Sequence, residues 1–193
     1  MPEAPSVIGW LWAAFVVCWL VLAQFNKKAR RTPWRAVLGL RLVVLAVALA
    51  VLLPRRRAVA RLFASVGHGQ ALQVGIAGQW LGVGLCLAGF AFAFWARLHI
   101  GRNWGMPMSM RHDHELVTSG PYAYVRHPIY AGIMLAMIGA ALAVGVLWLL
   151  VFPLYVIYFI ASARTEEKMM LAQFPDAYLA YRRRTKMLIP FVF

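Results

Sequence analysis

The sequence predicts an all-α integral membrane protein with about five transmembrane helices, the last two forming a helical hairpin that leads into a cytoplasmic C-terminal helix. Hydrophobic residues make up 63% of the 193-residue chain, and they are concentrated in long runs without charge. Two of these runs, Val7–Phe25 and Ala71–Trp95, are each long enough to cross a bilayer once. Basic residues flank the runs, as expected for side chains that contact anionic lipid headgroups.

Two less regular segments predict the remaining helices. Leu42–Pro54 is a short apolar run that predicts the second helix. Pro128–Ala163 is too long for one crossing and long enough for two, so it predicts the hairpin, with a turn near Gly139–Gly145. In the run Ala71–Trp95, the third of the predicted spans, Gly78 and Gly82 are four residues apart. This spacing lets another helix approach closely, and the hairpin is the expected neighbour.

The distribution of charge predicts the orientation of the chain. The net charge is +14, and the positive-inside rule places the loop Lys27–Arg35 in the cytoplasm with the N-terminus outside. After two more crossings, Arg97–Arg126 and the tail Arg164–Lys186 also face the cytoplasm. The loop Arg55–Arg61 breaks this rule, and a short second span that tilts or crosses incompletely would account for it. We expect a prokaryotic inner membrane protein whose active site faces the cytoplasm.

Composition and spacing argue against several other classes of protein. The basic residues are scattered between apolar runs and form no nucleic-acid-binding motif. The five histidines fall in loops or at span ends rather than within a bundle, unlike paired haem ligands. There is neither the mid-span charge nor the repeat typical of a transporter. Cys18 and Cys86 lie in apolar runs as small hydrophobic residues, and His112 with His114 is too weak a pattern to predict a metal site.

Polar residues gather at one predicted edge of the membrane. The segment Gly120–Tyr130 places Arg126 and His127 at the start of the hairpin, and Glu166 and Glu167 follow its other end. Each residue alone has an ordinary interpretation, such as a snorkelling arginine or a solvated helix face. Together they predict a pocket that holds one polar, partly cationic molecule while a lipid-like partner enters from the bilayer. Such a pocket suits group transfer onto a lipid.

Three separated segments carry a resemblance to a known family. They are His114–Tyr122 (HELVTSGPY), Arg126–Tyr130 (RHPIY), and the pair Glu166-Glu167 followed by Phe174, Tyr178 and Tyr181. In this order they resemble the isoprenylcysteine carboxyl methyltransferase family and its bacterial phospholipid-methyltransferase-like relatives, over residues 103–190. The resemblance implies S-adenosylmethionine as the methyl donor, held without a Rossmann fold. The chain indeed has no Gly-x-Gly-x-x-Gly motif.

The resemblance also assigns residues to the cofactor site. The positions it implies are His114, Leu116, Val117, Tyr122, Arg126, His127, Pro128, Tyr130 and Glu166. A carboxylate such as Glu166 suits the positive charge of the donor, and an aromatic face such as Tyr122 favours a cation.

Two further residues, Arg164 and Glu167, are predicted to act on the acceptor. The family arginine that would hold a substrate carboxylate falls at Ser162, and this chain offers Arg164 two residues later. Carboxylate O-methylation is favoured because a carboxylate is already ionised, whereas an amine or thiol must lose a proton, for which His127 or Glu167 are candidates.

The predicted organisation is a two-helix membrane scaffold over residues 1–70 and a methyltransferase core over residues 71–193. The expected partner is a lipid or lipidated acceptor that enters from the bilayer, and no nucleic acid is expected. Two alternatives stay open: a sterol-reductase-like membrane enzyme that uses NADPH, and a non-enzymatic membrane scaffold with the same fold. Binding of the methyl donor separates them.

Overall fold

Five α-helices carry most of the part of the chain that the computed structural model describes, which is residues 3–25, 29–31, 74–104, 110–111, 115–145 and 147–192. The helices are α1 (Ala4–Ala23), α2 (Ile76–Ile100), α3 (Pro128–Val144), α4 (Leu147–Gln173) and α5 (Pro175–Arg184). Two short 3-10 helices, Gly101–Asn103 and Gly120–Ala123, lie between α2 and α3. The strands β1 (Ala29–Arg31) and β2 (Met110–Arg111) pair antiparallel.

Two stretches in the described part are long and apolar enough to cross a membrane, Ala4–Ala23 and Ile76–Asn103. Helix α3 is also apolar but shorter, with 17 residues. The predicted second span, Leu42–Pro54, lies outside the described residues. The all-helical architecture is thus confirmed, apart from the small strand pair, while the number of five spans stays a prediction.

Proline and glycine set the ends of the hairpin helices. Helix α3 begins at Pro128, where the missing N–H is not needed by the first helical turn. It ends where Gly145 adopts a φ of 125°, which most side chains would not allow. The turn of the hairpin therefore lies at Gly145, the C-terminal limit of the range Gly139–Gly145 in which it is predicted. Gly139 itself is inside α3. At the far end, α4 stops at Gln173 and Pro175 starts α5, as the proline predicts.

Helices α2 and α3 pack with their backbones in contact. A Cβ atom added at Gly89 would lie 2.5 Å from the carbonyl oxygen of Gly132, and one added at Gly139 would lie 2.5 Å from the carbonyl oxygen of Gly82. Small residues at helix contacts allow this approach within membranes. The sequence predicts that the third span, which is α2, packs against the hairpin. The contact at Gly82 confirms this prediction. At Gly78 the three atoms nearest to an added Cβ all belong to Val74 on the same segment.

Helix α1 is fixed to α2 by aromatic rings and by one buried arginine. The rings of Phe15 and Phe90 stack with centroids 4.4 Å apart. Arg97, which is buried, donates from Nη2 to the carbonyl oxygen of Leu22 at 2.7 Å and lies over the ring of Trp104 at 4.7 Å. The arginine thereby adds a strong donor to a carbonyl at the C-terminal end of α1, which also accepts a long bond of 3.3 Å from the N–H of Phe25. Arg97 lies in α2, so the segment Arg97–Arg126, which is predicted to face the cytoplasm, begins within a helix.

Candidate active site

A buried ion pair joins the start of α3 to the C-terminal part of α4. Nε of Arg126 donates to Oε1 of Glu167 at 2.7 Å, and the two side chains are only 8% and 6% exposed. The same guanidinium donates to the main-chain carbonyl oxygens of Arg182, at 3.4 Å, and of Thr185. Arg126 therefore connects the loop before α3, helix α4 and the end of α5. Its role in this structure is to position the surrounding elements.

His127 lies between the two adjacent carboxylates of α4. Its Nδ1 is 3.5 Å from Oε2 of Glu166, and its Nε2 is 3.4 Å from Oε1 of Glu167. Burial favours the neutral imidazole, but the two carboxylates outweigh it and raise the pKa of His127 above its usual value. Burial likewise opposes ionisation of Glu167, yet His127 and Arg126 lower the pKa of that carboxyl group. The cluster therefore favours the protonated form of His127 and the ionised form of Glu167, whose opposite charges compensate each other.

Tyr130 orients the more accessible of the two acids. Its hydroxyl donates to Oε1 of Glu166 at 2.6 Å. Its ring lies parallel to the imidazole of His127, with an interplanar angle of 5° and a centroid separation of 5.6 Å, and stacks on Phe159 of α4 at 4.7 Å. The Glu166 side chain keeps 23% exposure, against 6% for Glu167. Glu166 is thus the carboxylate of this pair that an arriving small molecule would meet.

The loop before α3 adds a second aromatic surface. Tyr122 lies in the 3-10 helix Gly120–Ala123 and is buried. Its carbonyl oxygen accepts a hydrogen bond of 2.7 Å from the hydroxyl of Tyr181 in α5. The His99 ring stacks on Tyr122 at 6.5 Å, and its Nε2 is 2.9 Å from the hydroxyl of Ser119. The end of α2 and helix α5 together hold this loop.

The chain after α5 returns to the site through its main chain. The N–H of Arg126 donates to the carbonyl oxygen of Lys186 at 2.8 Å, and the N–H of His127 donates to that of Met187 at 3.0 Å. Leu188 is buried in the core beside them. The C-terminal segment is thus part of the wall around the ionic cluster.

The structure brings most of the predicted site residues together. Those that lie in or beside the cluster are Tyr122, Arg126, His127, Pro128, Tyr130, Glu166 and Glu167. Leu116 and Val117 are half-buried in the preceding loop, with Val117 packed on the core. His114 lies outside the described residues.

The structure does not place Arg164 with this group. Its side chain is exposed, and it lies two residues after the fully buried Ser162. Two residues correspond to about 200° around an α-helix, so the two side chains leave α4 on nearly opposite sides. Glu167, the other residue predicted to act on the acceptor, is held in ion pairs with Arg126 and His127. Thr185 and His99 are contacts that sequence reasoning missed, because no local pattern marks residues that meet only after folding.

The part of the chain that the structure describes contains no group of three or more His, Cys, Asp or Glu residues placed to hold a metal ion. His112 and His114, the pair considered for a metal from the sequence, lie outside that part.

Comparison with known proteins gives relatives of two kinds. Over 97 residues the chain is 36% identical to the cobalt-zinc-cadmium resistance protein CzcN of Cupriavidus metallidurans, covering 47% of this chain and 43% of that protein. Over 82 residues it is 38% identical to the protein-S-isoprenylcysteine O-methyltransferase of Schizosaccharomyces pombe, covering 42% of this chain and 35% of that enzyme. The chain thus matches less than half the length of these curated relatives.

A solved structure and a family model that match this chain also belong to the isoprenylcysteine methyltransferases, the second kind of relative. The structure of the eukaryotic intramembrane Ras methyltransferase ICMT superimposes with a TM-score of 0.58 at 25% identity, covering 76% of this chain and 61% of that one. The model of the isoprenylcysteine carboxyl methyltransferase (ICMT) family matches residues 81–173, which include α3, most of α2 and all of α4. The resemblance expected from the sequence is confirmed, and these matches relate the chain to the isoprenylcysteine carboxyl methyltransferase family.

Proposed function

We propose that this protein is an S-adenosylmethionine-dependent membrane methyltransferase that acts on a lipid-like or prenylcysteine-like acceptor, with O-methylation of a carboxylate as the favoured reaction. The observation that carries the proposal is Glu166, a partly exposed carboxylate held by Tyr130 and His127 within the segment that matches the family. The division into a scaffold over residues 1–70 and a core over residues 71–193 is part of the proposal.

The residues of the cluster fit the chemistry of the donor. When bound, S-adenosylmethionine supplies a methyl group on a positively charged sulfonium. Glu166 offers an accessible negative charge, and the nearby rings of Tyr130 and Tyr122 offer faces that favour a cation. Arg126 and Glu167 neutralise each other, so they stiffen the site without adding net charge to it. The donor would therefore meet one oriented carboxylate on a rigid support.

The proposed acceptor reaches the site from the bilayer. A carboxylate is ionised at neutral pH and needs no base, so the main tasks of the protein are to align the two molecules and to exclude water. Large apolar side chains such as Leu154 and Ile157 are exposed on α4, as suits a helix that faces lipid. We place the site at the cytoplasmic face of a prokaryotic inner membrane, in keeping with the basic residues around it.

Calorimetric binding of S-adenosylmethionine and S-adenosylhomocysteine to the purified full chain tests this proposal. We expect saturable binding that is weakened about tenfold or more by Glu166→Gln, because the carboxylate charge is lost. The matched control is Asp176→Asn, which removes an exposed acidic group in the first turn of α5 and leaves the affinity unchanged.

The absence of binding in folded protein, also with lipid present, would overturn the proposal. Binding of NADPH in its place would then favour the reductase alternative. Binding of neither molecule would favour a non-enzymatic scaffold.

A further inference from the structure

The segment that follows α5 contains a tight turn that exposes an aromatic ring. The N–H of Val192 donates to the carbonyl oxygen of Ile189 at 3.2 Å, and between them Phe191 adopts a φ of 66°. Proline at the second position, here Pro190, and a positive φ at the third are features of a type II turn, in which glycine usually takes the third position. Phe191 is nevertheless 90% exposed, so no packing within the described residues accounts for this strained backbone.

Exposed apolar and basic side chains lie together in this segment. Ile189 and Val192, which flank the turn, are 52% and 72% exposed. The one acidic residue of the range 175–193 is Asp176, at the start of α5. Arg182 belongs to the ionic cluster, since its Nε is 3.8 Å from Oε2 of Glu167. The other exposed groups form what we call the basic-apolar surface, which comprises Arg183, Arg184, Lys186, Ile189, Phe191 and Val192.

The fold places this surface beside the start of the apolar hairpin. The carbonyl oxygens of Lys186 and Met187 accept hydrogen bonds from the two residues that precede α3, and Leu188 is buried in the core. The chain emerges from the core at Ile189, next to the predicted membrane edge. At that level anionic headgroups attract basic side chains, while aromatic and aliphatic side chains enter the boundary of the hydrocarbon region.

The same segment forms part of the candidate site. The guanidinium of Arg126 donates to the carbonyl oxygens of Arg182 and Thr185, and the hydroxyl of Tyr181 donates to the carbonyl oxygen of Tyr122. A contact that fixes α5 and the following turn therefore also fixes Arg126 and Tyr122. If the methyl donor binds the same arrangement of these residues, the two binding events stabilise each other.

We propose that the basic-apolar surface docks on the bilayer that carries the protein, that it binds the phosphate groups of anionic lipids there, and that this contact strengthens binding of the methyl donor. A lipid surface satisfies both parts of the surface, because it offers negative headgroups beside an apolar phase. An acidic soluble partner would match the charges and leave the ring of Phe191 in water. The docking stands on the geometry alone, whereas the effect on the donor rests on the proposed function.

A fluorescent label at the turn tests the docking. Phe191→Cys is made in a Cys18→Ser background, since Cys18 is exposed and Cys86 is buried. The full chain is labelled with an environment-sensitive dye and placed in nanodiscs of phosphatidylcholine alone or mixed with an equal part of phosphatidylglycerol. We expect blue-shifted emission in the anionic discs, quenched by brominated lipid chains. The matched label at Asp176→Cys, beyond the far end of α4, should emit as in water in both.

Donor binding in the same two kinds of nanodisc tests the coupling. The probe is S-adenosylhomocysteine, which lacks the sulfonium charge, so the negative surface does not itself concentrate it. We expect the wild type to bind it about tenfold more tightly in the anionic discs, within the range usual for coupled sites. High salt should reduce this gain, because it screens exposed charges.

Two charge-matched double variants assign the gain to the surface. Arg183→Ala with Lys186→Ala should abolish the gain and keep the wild-type affinity in neutral discs, because neither side chain is placed in the ionic cluster. Arg102→Ala with Lys168→Ala removes the same charge from exposed positions elsewhere and should keep the gain.

Water-like emission from the label at position 191 in anionic discs would overturn the docking. Equal affinity of the wild type in both kinds of disc would overturn the coupling, as would an undiminished gain in the variant with Arg183→Ala and Lys186→Ala, or the same loss in both double variants. A failure of the proposed function is distinguishable, since it would appear as the absence of S-adenosylhomocysteine binding in either lipid while the label still reports on docking.

Discussion

Arg126 and Glu167 are 41 residues apart in sequence and form a buried ion pair of 2.7 Å between Nε and Oε1. The pair joins the segment before α3 to α4, and the further bonds of Arg126 to the chain at Arg182 and Thr185 add α5. The guanidinium of Arg126 therefore connects three parts of the fold: the segment before α3, helix α4 and the end of α5. Ion pairs of this kind contribute most visibly when one partner is removed, because the other is left buried and unpaired.

Arg126→Ala should lower the free energy of unfolding by about 3–5 kcal/mol, because Glu167 would lose its closest buried partner. Thermal unfolding in detergent, followed by circular dichroism, measures this loss. Arg183→Ala, which removes an exposed arginine of α5, is the matched control and should change stability by less than about 0.5 kcal/mol. Similar melting temperatures for both variants would contradict the positioning role of Arg126.

Gly89→Ala should destabilise the protein by about 1–3 kcal/mol, because the added Cβ would lie 2.5 Å from backbone atoms of α3 and force the helices apart. Gly84→Ala on the same helix has open space and removes the conformational freedom of a glycine, so stability should be unchanged or slightly higher. Thermal unfolding of the two variants side by side checks this. The packing described for α2 and α3 would be wrong if both variants melted like the wild type.

Gly120→Ala should weaken donor binding about tenfold or more, because an added Cβ would lie 2.6 Å from the His99 ring, which stacks on Tyr122. Gly101→Ala is a close control, since Gly101 has a similar positive φ of 56° but nothing near its Cβ position. Both variants carry backbone strain, and only the first displaces a ring of the candidate site. Calorimetry with S-adenosylhomocysteine compares them, and equal affinities would count against a role for this loop in binding.

Stability should depend on pH in two opposite ways. The pKa of His127 is raised above 6.5, so the stabilisation by its protonated form is complete below about pH 6.5 and is lost as pH rises through the folded-state pKa. The pKa of Glu167 is lowered below 4.5, so its contribution is present above about pH 4.5 and is lost as pH falls through the folded-state pKa. The melting temperature should be highest between these values. His127→Asn should flatten the decline on the alkaline side, and an unchanged decline would assign it to another group.

Sequence reasoning predicted those features that local pattern controls. The hairpin followed from an apolar stretch too long for one crossing, and the contact of α2 with α3 followed from the spacing of small residues. Glu166, Tyr130 and His127 were predicted as a site because motifs place them in order along the chain. The bonds of Arg126 to the carbonyl of Thr185 were not predictable, since main-chain carbonyls carry no sequence signal. Residue type alone suggests Arg164 for the acceptor, and its role stays a prediction, because the phase of α4 leaves Arg164 exposed and buries Ser162.

The two main-chain hydrogen bonds from Arg126 and His127 to Lys186 and Met187 tie the candidate site to the segment that follows α5. During synthesis, the hairpin and its polar motif emerge well before these residues leave the ribosome. The wall of the site can therefore close only after the segment that follows α5 has been made. A chain that stops before this segment would keep its helices and lack this part of the wall around the ionic cluster.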